Sequence, residues 1–153
     1  MRLWCGPDSM EEVKTMANPL LGTALVAVPV TALYGALSSL LLLGLGLNVS
    51  RLRGKYNTFR GDGGHAELIG AIRAHGNSVE HVPLLLILLL AAELCGGSST
   101  LLHIFGGALV VSRILHAVGL IKGSSAIQIP GALSTYALEA ALPIYLLILR
   151  PWG

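Results

Sequence analysis

The sequence predicts an all-α integral membrane protein built as a bundle of four transmembrane helices. Three observations predict it. Of the 153 residues, 54% are hydrophobic and only 12% charged, and a mean hydropathy of +0.73 is too high for a soluble domain of this size. Apolar runs long enough for the roughly 20 residues a bilayer requires recur along the chain. The loops between them alternate between basic and uncharged, which is the pattern the positive-inside rule produces.

The same composition excludes other classes. A net charge of +2 without a basic run gives no surface for nucleic acid. Cys5 and Cys95 stand far apart with no CxxC, and the histidines form no HExxH, so no metal site is expected.

Residues 1–19 read as an N-terminal interfacial segment and 20–153 as one membrane domain. Asp8, Glu11 and Glu12 are acidic where a signal peptide would be basic. Ser9-x-x-Glu12 fits a capping box, which predicts a short helix over Met10–Ala17. The first span is expected at about 20–49, because no charged residue occurs from Thr15 to Ser50. Pro29 should kink it, and Ala32, Gly35, Ala36 and Ser39 have the small-residue spacing that lets another helix approach.

Arg51, Arg53, Lys55 and Arg60 follow and place loop 50–64 in the cytoplasm. They are either topological anchors or, for Arg51 and Arg53, partners of a carboxylate at the membrane surface. The second span is expected at 65–95 and the third at 100–121, joined by the uncharged Gly96-Gly97-Ser98-Ser99. Gly106-Gly107 suits close packing. Loop 122–128 returns the chain on the cytoplasmic side, and the fourth span, 129–149, starts with Pro130 in its first turn. Pro143 is a second expected kink, and Arg150-Pro-Trp152 an interfacial anchor. Both termini then lie outside.

The polar residues of the second span carry the functional argument. Positions three, four and seven apart share a helix face, so Arg73, Asn77 and Glu80 form a stripe about 10 Å long, with Gly76 and His81 on its shoulders. Ionised groups near the bilayer centre cost about 2.5–3.5 kcal/mol each and are seldom kept without a partner or ligand. A cation and an acid at that separation match glutathione, an extended molecule with two carboxylates, an ammonium and a thiol. The arginine fork suits a carboxylate, Glu80 an ammonium, and a cation beside the thiol favours the reactive thiolate. The rival reading is a salt-bridge network that fixes helix register or subunit assembly.

Arg73-x-x-x-Asn77-x-x-Glu80, followed by Pro83 and a leucine-rich span, resembles the second-helix signature of the MAPEG family. These are the membrane-associated proteins of eicosanoid and glutathione metabolism, including microsomal glutathione transferases. Chain length, four spans, the basic first loop and Arg113-Ile-Leu-His116 extend the resemblance over nearly the whole chain. It implies a homotrimer holding glutathione between subunits at the cytoplasmic side, with a lipophilic substrate or lipid entering from the bilayer. By that resemblance Arg73, Asn77 and Glu80 contact the tripeptide. His75 contributes from the adjacent subunit, Arg51 approximates a basic residue ending the first helix, and His81 and His116 stand where the eicosanoid enzymes often carry tyrosines.

Two departures concern catalysis. The arginine that activates the thiol near the start of the fourth helix has no counterpart in Ser124-Ser-Ala-Ile-Gln128-Ile-Pro130, and Leu120 stands near a missing tyrosine. Arg113, His116, Lys122 and Ser124 are the candidate substitutes. The sequence therefore supports a glutathione-binding membrane protein of transferase or peroxidase type, with a non-catalytic trimeric accessory or lipid-binding subunit as the alternative. A proton-coupled transporter using Glu139 is a third reading. Arg113 is expected to pair with Glu80 or Glu139, Glu93 to meet water or His103, and Glu139 to bond Tyr136 or a neighbouring helix.

Overall fold

The computed structural model describes residues 28–149. The expected segment 1–19, the helix over Met10–Ala17, the start of the first span, Cys5 and the Arg150–Trp152 anchor lie outside the described residues. Within them the chain forms α1 (Pro29–Lys55), α2 (Ala66–Leu94), α3 (Ser99–Lys122) and α4 (Ser125–Leu149), with no strand among the described residues. All four helices are long and apolar enough to cross a membrane. α2 and α3 occupy the middle of the bundle, with α1 packed on one side of the pair and α4 on the other.

Three boundaries differ from expectation. Pro29 occupies the first turn of α1, after a non-helical Val28, so it starts the described helix and does not kink it; its missing N–H is one the first turn leaves unbonded anyway. α1 also runs on to Lys55, which puts Arg51, Arg53 and Lys55 on the helix and not in a loop. Cations there face the negative end of the helix dipole. α4 begins at Ser125, leaving Pro130 inside it. The early start follows from how α3 ends. Gly123, at φ +65°, lets the amides of Gly123 and Ser124 close on the carbonyls of Leu120 and Gly119, a Schellman turn. The Ser124 carbonyl then accepts at once from Ile127 and Gln128.

Lipid is as apolar as leucine, so packing and hydrogen bonds, not exclusion from water, hold such a bundle together. The tightest packing is between α3 and α4. A Cβ on Gly131 would fall 2.5 Å from the His116 amide nitrogen and 2.8 Å from the Ser112 carbonyl oxygen, and one on Gly119 would strike the Gln128 backbone. Gly106 likewise admits the Tyr34 ring. By contrast, Ala32, Ala36 and Ser39 are exposed and Gly35 has nothing close to it. Among the described residues, nothing packs closely on the small-residue face of α1.

One apolar cluster, including Val82, Leu85, Leu89, Leu102, Leu109 and Leu142, fills the half of the bundle remote from the basic loop. Smaller ones, Leu45–Ala74–Ala117 and Leu52–Leu68–Ala71, lie nearer that loop. At the remote end the Glu93 carboxylate accepts from the amides of Val30 (2.9 Å) and Thr31 (2.7 Å) and, among the described residues, bonds neither His103 nor a cation. It satisfies donors that α1, lacking a side-chain cap of its own, would otherwise leave open. His103 bonds the Tyr34 hydroxyl at 3.2 Å. At the basic end Glu67 gathers Lys55 and Tyr56, both at 2.6 Å, and Arg51 at 4.0 Å. Arg53 holds the Thr58 and Gly61 carbonyls, so among the described residues Arg51 but not Arg53 reaches a carboxylate.

Candidate functional site

Between the large apolar cluster and the smaller ones lies a polar layer, and α2 supplies both of its sides. Toward α3 and α4 the layer is held by side-chain hydrogen bonds. Arg113, 1% exposed, donates through Nη1 to Asn77 Oδ1 at 2.8 Å and through Nη2 to the Thr135 hydroxyl. Thr135 in turn donates to the Gly131 carbonyl, and Ser112 to the Leu109 carbonyl. Arg113 Nε has no partner among the described residues. The expected pairing of Arg113 with Glu80 or Glu139 is therefore replaced by two neutral acceptors. The reason is reach: Thr135 stands one turn from Gly131, where the α3 and α4 backbones nearly touch.

One turn beyond Asn77, His81 Nδ1 lies 2.5 Å from Glu139 Oε1. The mid-helix acid thus finds a neighbouring helix, as one of its expected alternatives had it. The Tyr136 ring stands edge-on to His81, 5.9 Å between centroids. His116, 6% exposed, has Nδ1 3.2 Å from the Gln128 carbonyl.

The other side of α2 is open. Arg73, Gly76, Asn77 and Glu80 line a cavity of about 240 Å³. Arg73 and Glu80 are exposed, and neither has a hydrogen-bond or salt-bridge partner among the described residues. Asn77 belongs to both sides, since it lines the cavity while its carbonyl oxygen is held by Arg113. That bond leaves the Asn77 NH₂ group available. The cavity holds the groups for a small zwitterion: a guanidinium with its full fork of donors at one end, a carboxylate at the other, and an oriented amide between.

The MAPEG family model matches residues 31–148, a span that includes the cavity, the inner network and nearly all of the described helices. The chain belongs to the MAPEG family. It is similar to the inner membrane protein YecN of Escherichia coli (strain K12), with 44% identity over 90 residues, covering 59% of this chain and 69% of the relative. The same figures hold for YecN of a second Escherichia coli strain. No solved structure matches the chain. With its four spans, this MAPEG protein is a multi-pass integral membrane protein.

The remaining predicted site residues of this MAPEG protein lie apart from the cavity. His75 turns to α1, where its Nε2 would stand 3.4 Å from a Cβ on Gly46. Arg51 bonds Asn48 at 3.0 Å and faces Glu67. Lys122 is exposed at the end of α3, and Ser124 serves the Schellman turn through its backbone. Thr135 and Ser112 were not singled out from the sequence, and Gln128 only as a member of the segment before Pro130. The signal was the four-residue rhythm Gly131, Thr135, Glu139 on α4, one face carrying a close approach, a hydroxyl and an acid.

Proposed function

We propose that this MAPEG protein binds glutathione along α2 and presents it to a lipophilic electrophile or lipid hydroperoxide, an activity of transferase or peroxidase type. The carrying observation is the cavity in which Arg73 and Glu80 stand about 10 Å apart along the helix with no partner among the described residues. Arg73 takes a carboxylate of the tripeptide, Glu80 its ammonium, and Asn77 a peptide carbonyl. The site is completed in a homotrimer by a neighbouring subunit, with the basic end of the bundle in the cytoplasm. Supporting this are the family's general use of glutathione and the exposure of an ionised pair within a span, a cost that a second subunit and a ligand would offset.

The test is calorimetry of glutathione binding to detergent-purified protein. Removing the Arg73 side chain by Arg73→Ala forfeits charge-assisted hydrogen bonds of about 1.5–3 kcal/mol, roughly a 10- to 100-fold loss of affinity, with the oligomer intact by native mass spectrometry. Unchanged affinity would remove the assignment.

One observation favours the second reading, a non-catalytic trimeric accessory or lipid-binding subunit. Arg113, His81 and His116 are all engaged within the bundle, and no arginine stands at the start of α4. On that reading Arg73→Ala breaks the oligomer and the wild type has no thiol-dependent turnover.

A further inference from the structure

Arg113 holds one wall of the cavity from behind, and its chemistry gives that bond a direction. A guanidinium has donors and no acceptor, so the Asn77 atom it meets at 2.8 Å is the amide oxygen. The NH₂ group is then what Asn77 brings to the cavity it lines. Arg113 is itself fixed. It is 1% exposed and donates through Nη2 to the Thr135 hydroxyl, whose own hydrogen goes to the Gly131 carbonyl at 2.9 Å. A Cβ on Gly131 would stand 2.5 Å from the His116 amide nitrogen, so this anchor sits where α3 and α4 have no room to shift. Turning the Asn77 amide round would set N–H against N–H and leave both donors without an acceptor inside the bundle, which is costly.

Asn77 stands between the other two polar residues of the cavity, four residues from Arg73 and three from Glu80. Along the helix axis those steps are about 6 Å and about 4.5 Å. A molecule held by Arg73 and Glu80 therefore passes its middle over N–H donors. A carbonyl there gains hydrogen bonds, whereas an amine N–H meets only other donors. The guanidinium behind the amide polarises it and strengthens those donors. A site built to bond one polar group discriminates against an analogue lacking it, because its own group is left unpaired.

We infer that Asn77 makes the middle of the cavity selective for a hydrogen-bond acceptor, and that Arg113, with Thr135 behind it, is the positioning residue that fixes this choice. The inference rests on the proposed binding of a zwitterionic peptide along α2. It names the ligand class more narrowly: a zwitterion with a carbonyl between its charged ends, nearer the ammonium. In glutathione the γ-glutamyl carbonyl carbon is four bonds from the ammonium nitrogen, and the cysteinyl-glycine carbonyl lies much farther along the chain. The short step from Asn77 to Glu80 selects the first.

The test is calorimetry with glutathione and two analogues in which one or the other peptide bond is a trans-alkene, which keeps the shape and removes the acceptor. On wild type the γ-glutamyl analogue should bind roughly 3- to 10-fold more weakly than glutathione, the worth of one hydrogen bond, and the cysteinyl-glycine analogue should not. Asn77→Asp keeps an oxygen for Arg113 and replaces the NH₂ with an acceptor, so the fold survives and the advantage of glutathione over the γ-glutamyl analogue disappears. A general charge effect would weaken both alike. Arg113→Gln, whose amide can donate or accept, frees Asn77 to turn either way and should shrink the same ratio, while Arg113→Lys, which still only donates, should hold it. A purely structural network moves the unfolding midpoint and leaves the ratio alone, so an unchanged ratio in Asn77→Asp or in folded Arg113→Gln overturns the inference. Asn77→Asp decides the matter where an Arg113 variant is too unstable to purify. Glutathione that binds wild type no better than the γ-glutamyl analogue overturns this inference alone. Failure of the wild type to bind glutathione overturns the ligand reading. Nitrogen-15 NMR of asparagine-labelled protein without ligand, with Asn77→Asp to assign the signal, should show the Asn77 NH₂ exchanging with water, and an NH₂ protected from exchange overturns the inference whatever the protein binds.

Discussion

Asn77 and His81 turn from α2 into the bundle and are bonded there to Arg113 and Glu139. Arg73 and Glu80, within a turn of them on the same helix, face an open cavity without such partners among the described residues. The inner groups are buried or half-buried, where an unpaired polar group costs about 1–3 kcal/mol, and Asn77, Arg113, His81 and Glu139 each have a hydrogen-bond partner. The outer groups, Arg73 and Glu80, have none among the described residues. Paired polar groups within a span are a structural device. Unpaired ones of opposite sign, a fixed distance apart beside a cavity, are what the proposed ligand would bridge.

Substitution on the two sides should separate these roles. The largest effect belongs to Arg113→Ala on the inner side, which leaves Asn77 Oδ1 unpaired and a void between α3 and α4. A loss of about 2–5 kcal/mol is expected, read as a lowered midpoint of unfolding in detergent. A loss below the effect of an ordinary surface substitution would show that the network is not structural. Next, a double-mutant cycle of Asn77→Ala with Arg113→Ala should give a coupling of roughly 0.5–3 kcal/mol, since the residues are in direct contact. The same cycle between Arg73 and Arg113 should give none. The smallest stability effect belongs to Glu80→Gln on the outer side. Its unfolding midpoint should match wild type while its glutathione affinity falls, and a destabilised Glu80→Gln would collapse the distinction between the two sides.

The stripe itself was legible in the sequence because helical periodicity alone puts Arg73, Gly76, Asn77 and Glu80 on one edge. His81 was read as a shoulder of that edge, and its ring bonds to α4; a shoulder position has two directions available, and the acid at 139 decides between them. His75 was legible as lying away from the stripe, but its neighbour proved to be α1 of the same chain. Arg113 was legible as a residue that needs a partner within the span. Its partners were not, because they depend on how closely α3 and α4 approach at Gly119 and Gly131. That Glu93 serves the backbone amides of α1 was not legible for a similar reason: amides carry no mark in a sequence.

What the chain determines by itself is set by local chemistry. Long apolar runs make helices that satisfy their own backbone groups in lipid, cations collect at helix ends on one side, and a period of 3.6 residues gathers a cation, an amide and an acid on one edge. What only the tertiary structure decided is which polar groups neutralise one another. Side-chain pairing falls off within a few ångströms, and the distances between α2, α3 and α4 are set by glycine contacts far apart in sequence, so Asn77 meets Arg113 and His81 meets Glu139 only once the helices have docked.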